Sequence, residues 1–155
     1  MTYPRSGRSR LRRVVQAATR LRPADLLAMA QVTAVLVLVE VAVRSVPVGR
    51  LAGWLGVTLQ LSLDPGPGSA GLPVDGFSAD ELRRARFAHR LLAHWPYGAG
   101  PCLRESLVVG HALRRHQPAM RLGVARDGQV MTAHAWLEVG GVSLESDRGF
   151  LPLGL

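Results

Sequence analysis

Residues 130–147 read VMTAHAWLEVGGVSLESD. From Val130 to Val139 the chain alternates. Met131, Ala133, Ala135, Leu137 and Val139 fall on one face of an extended strand, and Thr132, His134, Trp136 and Glu138 on the other. Gly140-Gly141 is a two-residue hairpin signal, since the favoured tight turns need positive φ. The stretch therefore predicts two antiparallel strands, the second starting at Val142. If Val139 faces Val142, counting back sets His134 opposite Asp147 and Trp136 opposite Glu145. Opposed side chains share a face with Cβ atoms ~4.5–5.5 Å apart. At that separation a carboxylate can hold one imidazole nitrogen.

Upstream, Asp127-Gly128 is another turn signal, and Arg121–Ala125 reads as a short strand before it. Before that strand lies a helical pattern from Cys102 to about His116, with Leu103, Leu107, Gly110 and Leu113 on one side. The turn-rich segment PYGAGP (96–101) ends directly on Cys102, and Pro101 is a helix-start signal. Ser78-Ala79-Asp80-Glu81 is a capping box that opens a further helix to about Trp95. Its apolar stripe is Leu82, Ala85, Ala88, Leu91, Leu92 and Trp95, and its arginines form a solvated face.

The N-terminal half has a different texture. Residues 64–77 are rich in Pro and Gly and read as a linker. Residues 23–63 read as an apolar helical segment, opened by Pro23 and Asp25, broken near Pro47 and Gly49, with a second short helix over Leu51–Leu61. Its run Ala28–Val43 falls short of the ~20 residues that span a bilayer and contains Gln31 and Glu40, which favours a buried helix. Residues 1–22 form a basic arm with seven arginines, and the first acidic residue is Asp25. The chain thus divides into arm 1–22, helical segment 23–63, linker 64–77 and core 78–155.

Composition bounds the function. With 155 residues and 48% hydrophobic content, the chain can bury a core of its own. All basic residues are Arg, and the net charge of +8 favours acidic or anionic partners. Nucleic acid is not one of them: no zinc spacing, no RNP-like strand and no basic–aromatic interleaving accompanies the arm. The single Cys permits no internal disulfide, which suits a reducing, cytoplasmic setting. Peripheral contact with a membrane is the other arrangement that the Arg arm and apolar run allow.

The chemistry rests on three residues. A thiol at a helix N-terminus feels the positive end of the dipole, which favours the thiolate. A His can take and return the proton, and a carboxylate behind it fixes the imidazole tautomer. Cys102, His134 and Asp147 are the candidate catalytic residues, with Glu145 as the reserve third member. Each has a plainer reading: a small buried thiol, a satisfied strand His, a turn Asp. Trp95, Tyr97 and Trp136 are candidates for lining a substrate cleft, or else core aromatics. His89 and His94, and His111 and His116, are spaced off-face on their helices, so no metal is implied, and no cofactor.

Cys102-Leu103-Arg104-Glu105-Ser106-Leu107, Leu113-Arg114-Arg115, Arg121-Leu122-Gly123-Val124 and Ala133-His134-Ala135-Trp136-Leu137-Glu138-Val139 together resemble the transglutaminase-like leader peptidases of lasso peptide biosynthesis. The resemblance covers about residues 78–155 and includes the closing Phe150-Leu151-Pro152-Leu153. It implies an α+β fold, with N-terminal helices followed by a transglutaminase/papain-like core. There the Cys lies at a helix N-terminus packed on an antiparallel sheet that carries His and Asp. It implies a Cys-His-Asp peptidase that removes the leader from a ribosomally made precursor before a partner cyclase closes the ring. Residues 1–77 lack the β-rich pattern of a leader-recognition domain, so the resemblance is to the split form, which uses a separate leader-binding protein (a RiPP recognition element). The sequence departs from the family at the acidic member, whose place falls on Ser146, between Glu145 and Asp147.

Overall fold

The computed structural model describes residues 22–61, 76–95, 101–127, 130–144 and 151–152. The first helix, α1 (Pro23–Ala42), starts where Pro23 supplies a helix-ready φ and the Asp25 carboxylate accepts from the Arg22 amide at 3.1 Å. Its residues Ala28, Val32, Leu36 and Val39 are buried at helical spacing. The expected buried helix is therefore real on one side only, because Leu26, Leu27, Val37, Leu38 and Val41 on the same helix are exposed.

Helix α2 (Val48–Trp54) is shorter than the sequence suggested. The stretch read as helical through residue 63 stops being so at Gly56, which holds φ +73°. Thr58–Gln60 then forms a strand, β1. Its partner lies some sixty residues downstream, so no local pattern announces it.

Helix α3 (Ala79–Leu92) carries the expected capping box. Ser78 Oγ accepts from the Glu81 amide at 3.3 Å, and Glu81 Oε2 accepts from the Ser78 amide at 2.8 Å. Helix α4 (Pro101–Ala112) follows, then a 3₁₀ turn over Arg114–His116. The strands β2 (Ala119–Asp127), β3 (Val130–Val139), β4 (Val142–Ser143) and β5 (Leu151–Pro152) complete the chain.

The fold is α+β. β2 and β3 are antiparallel from Ala119↔Glu138 to Asp127↔Val130, and β4 pairs with the end of β3 as Glu138↔Ser143 and Val139↔Val142. The second pairing is the Gly140-Gly141 register anticipated above, with φ of +60° and +81° at the two glycines. On the other edge of β2, β1 runs parallel to its first part and β5 antiparallel to its middle. The sheet is thus mixed rather than wholly antiparallel. The basic arm and the linker lie outside the described residues except for Arg22, Gly76 and Phe77.

One core joins both halves of the chain. Leu36 and Val39 of α1 and Leu51 of α2 cluster with Leu107 and Val108 of α4, Met120 of β2 and Leu137 of β3. Each is at most 2% exposed. Helix α4 sits close on the sheet where it has no side chain. A Cβ on Gly110 would lie 2.6 Å from Val57 Cγ2 and 3.2 Å from Leu137 Cδ2.

Candidate active site

Cys102 occupies the second residue of α4, directly after Pro101, and is a free, part-buried thiol. The helix offers its first-turn N–H groups there, because they have no partner within the helix. Two residues on, Arg104 makes a forked ion pair with Glu40 of α1, Nε to Oε2 at 2.7 Å and Nη2 to Oε1 at 3.3 Å. Arg44 adds a third contact to Glu40 at 3.0 Å. The Arg104 bond holds the Glu40 carboxyl below its ordinary range. From the sequence, Glu40 is only a mark against a membrane span. It is the anchor that fixes the start of the cysteine helix to α1. Its signal was a lone acid in an apolar run, a position that an acid tolerates only when paired.

His134 lies midway along β3, opposite Gly123 of β2. Its ring is near-parallel to that of Trp136, with centroids 6.1 Å apart, as expected for two residues on one face. The same face carries Glu138 and the buried Arg121. Arg121 Nε donates to Glu138 Oε2 at 2.7 Å, and Trp136 Nε1 donates to Glu138 Oε1 at 3.3 Å. Trp136 is 3% exposed, so its plainer reading as a packed aromatic fits its place. Trp95 packs against the main core from the end of α3. Asp147, Glu145 and Tyr97 lie outside the described residues.

Helix and strand share a direction. Ala112 and Ala119 are joined by a short reversal, and Ala119 stands opposite Glu138, so α4 runs the same way as β3. From the Gly110–Leu137 contact, Cys102 lies eight residues back along the helix, ~12 Å. His134 lies three residues back along the strand, ~10 Å. Both are therefore toward the same end of the helix–sheet layer. Among the described residues no hydrogen bond joins them: Leu137 turns one face of β3 to α4, and His134 belongs to the alternate face.

The remaining histidines hold the scaffold. His89 Nδ1 meets Glu105 Oε1 at 2.6 Å, tying α3 to α4. His116 Nε2 meets Glu81 Oε2 at 3.2 Å, tying the 3₁₀ turn to the capping box. His111 Nδ1 donates to Leu55 O at 3.0 Å, and burial, with Arg114 and Arg84 nearby, lowers its pKa. Among the described residues no group of three metal-binding side chains converges.

A sequence profile of the transglutaminase-like superfamily matches residues 42–151. The chain belongs to the transglutaminase-like superfamily. The match covers both Cys102 and His134 and reaches back through α2 and β1, which agrees with their share in the sheet and core. Transglutaminase-like domains are generally cysteine-dependent enzymes of the peptidase and acyltransferase type. No curated protein and no solved structure matches the chain.

Proposed function

We propose that this transglutaminase-like protein is a cysteine peptidase that cleaves the leader from a ribosomally made lasso peptide precursor. The observation that carries the reading is Cys102 in the first turn of a helix packed on the strand of His134, inside a domain of a thiol-enzyme superfamily. The motif set around those two residues supports the narrower substrate class. In the proposed reaction the Cys102 thiolate attacks the scissile carbonyl, and the first-turn N–H groups of α4 stabilise the oxyanion. His134 passes its proton to the leaving amine, then activates the water that releases the acyl group. Asp147 orients the imidazole, with Glu145 as the reserve carboxylate. The hairpin register seen at Glu138↔Ser143 supports Asp147 if the pairing continues unbroken. A separate leader-binding protein presents the precursor, and a partner cyclase consumes the freed core, both in a reducing cytoplasm.

The test combines the full-length protein, the leader-binding protein and the precursor. Cys102→Ala should abolish cleavage, and Asp147→Asn should lower kcat at least ~100-fold while Glu145→Gln changes it little. Cleavage that survives Cys102→Ala overturns the thiol mechanism, and the reverse carboxylate result moves the role to Glu145. Superfamily membership supports a second reading equally well, an amide-forming transglutaminase. Product masses separate the two, since hydrolysis adds water and transfer joins two chains.

A further inference from the structure

The outward side of α1 carries no charge. Leu26, Leu27, Val37, Leu38 and Val41 are 49–66% exposed, and the positions between them on that side, 30 and 34, are exposed alanines. At 100° per residue all seven fall within one third of the helix circumference. Soluble helices turn polar residues to water at such positions. Here the polar groups stand to either side of the ridge instead. One flank is a cleft of ≈ 320 Å³ where Gln31 and Val35 of α1 meet Arg84, His111 and Arg114. The Arg84 Nε is buried there with no hydrogen-bond partner. The other flank is a mainly apolar cleft of ≈ 380 Å³ where Met29, Val32 and Thr33 meet Phe87 and Leu91, with Arg90 and His94 also lining it. The two carboxylates of α1 are both neutralised, Asp25 by Arg83 at 3.0 Å and Glu40 by Arg104 at 2.7 Å. The seven arginines of residues 1–22 lead directly into the helix.

We propose that this face of α1 seats the protein on an anionic phospholipid surface, with the helix lying in the plane of the interface. An aliphatic ridge between basic flanks matches the acyl boundary and the phosphate layer of such a surface. The charge balance selects the occupant. A second copy docked on the same face would set arginine flank against arginine flank, and each chain already carries +8. Crossing the bilayer is excluded by packing, although α1 has the 20 residues to do so. Its inner side holds Leu36 and Val39 at 0% exposure in the core, and its Glu40 holds the cysteine helix. The seat does not depend on the peptidase reading, since it uses no catalytic residue.

Vesicle flotation tests it with the full-length protein. Vesicles of phosphatidylglycerol in phosphatidylcholine should carry the protein at low salt, and pure phosphatidylcholine vesicles should bind it at least ~10-fold more weakly. Val37→Asp with Val41→Asp should cut binding to the anionic vesicles at least ~10-fold, with the thermal transition unchanged because both side chains are exposed. Arg8, Arg10, Arg12 and Arg13 changed together to Gln should give a comparable loss and a flatter salt dependence. The proposal is overturned if the anionic vesicles bind no protein or bind the Val37→Asp, Val41→Asp variant as well as the parent. It is equally overturned if that variant keeps vesicle binding and instead disperses a dimer or releases the leader-binding protein.

Discussion

Glu81 shows how much one residue can carry. It closes the capping box with Ser78 and also accepts from His116, so one 3%-exposed carboxylate fastens the start of α3 to the turn before β2. The Ser78 hydroxyl and amide bonds pull its pKa from 4.5 down to about 2. A carboxyl depressed in the folded state stabilises the fold above its unfolded pKa and loses that stabilisation as pH falls through the folded value. The wild-type protein should therefore lose stability between about pH 4.5 and about 2 more steeply than Glu81→Gln. Urea midpoints measured across that range check this, and identical slopes for the two proteins would refute it. The capping box was legible because its partners are three residues apart. The His116 contact was not, because it joins positions far apart in the chain.

At the scale of elements, the position of α4 decides whether Cys102 can reach its partners. The helix lies on β3 at Gly110, where a side chain would strike Val57 and Leu137. Gly110→Val should cost about 3 kcal/mol through overpacking. It should also lower kcat by shifting the helix that carries Cys102. Gly110→Ala combined with Val57→Ala should be less destabilising than the sum of the two single changes, since one vacates the space the other fills. Thermal melts of the four proteins test this, and strict additivity would show that the close approach is not tight. The sequence placed Gly110 on the inner face of its helix, and periodicity sufficed for that. It gave no reason for a glycine there, because Val57 reaches it from a strand-leading segment read as helix.

At the scale of the whole molecule, the two sides of the Pro- and Gly-rich linker are each too small to stand alone, and they share one core. Leu36, Leu51, Leu55 and Val57 lie in one buried cluster with Leu107, Val108 and Leu137, and β1 forms part of the sheet. Residues 78–155 expressed alone should therefore fail to fold, showing no cooperative melt by circular dichroism. A sharp transition would establish an independent C-terminal domain. By itself the sequence determined the helix over the capping box, the cysteine at a helix start, the β3 alternation and the Gly140-Gly141 hairpin. Each of these is set by contacts within a few residues, so propensity, turn chemistry and spacing suffice. Only the tertiary structure decided that Thr58–Gln60 is a parallel strand. It also paired Glu40 with Arg104 at the cysteine helix and left α1 apolar on both sides but covered on one. Those outcomes depend on which distant segment arrives opposite, and hydrophobicity, being non-directional, does not record that in the local pattern.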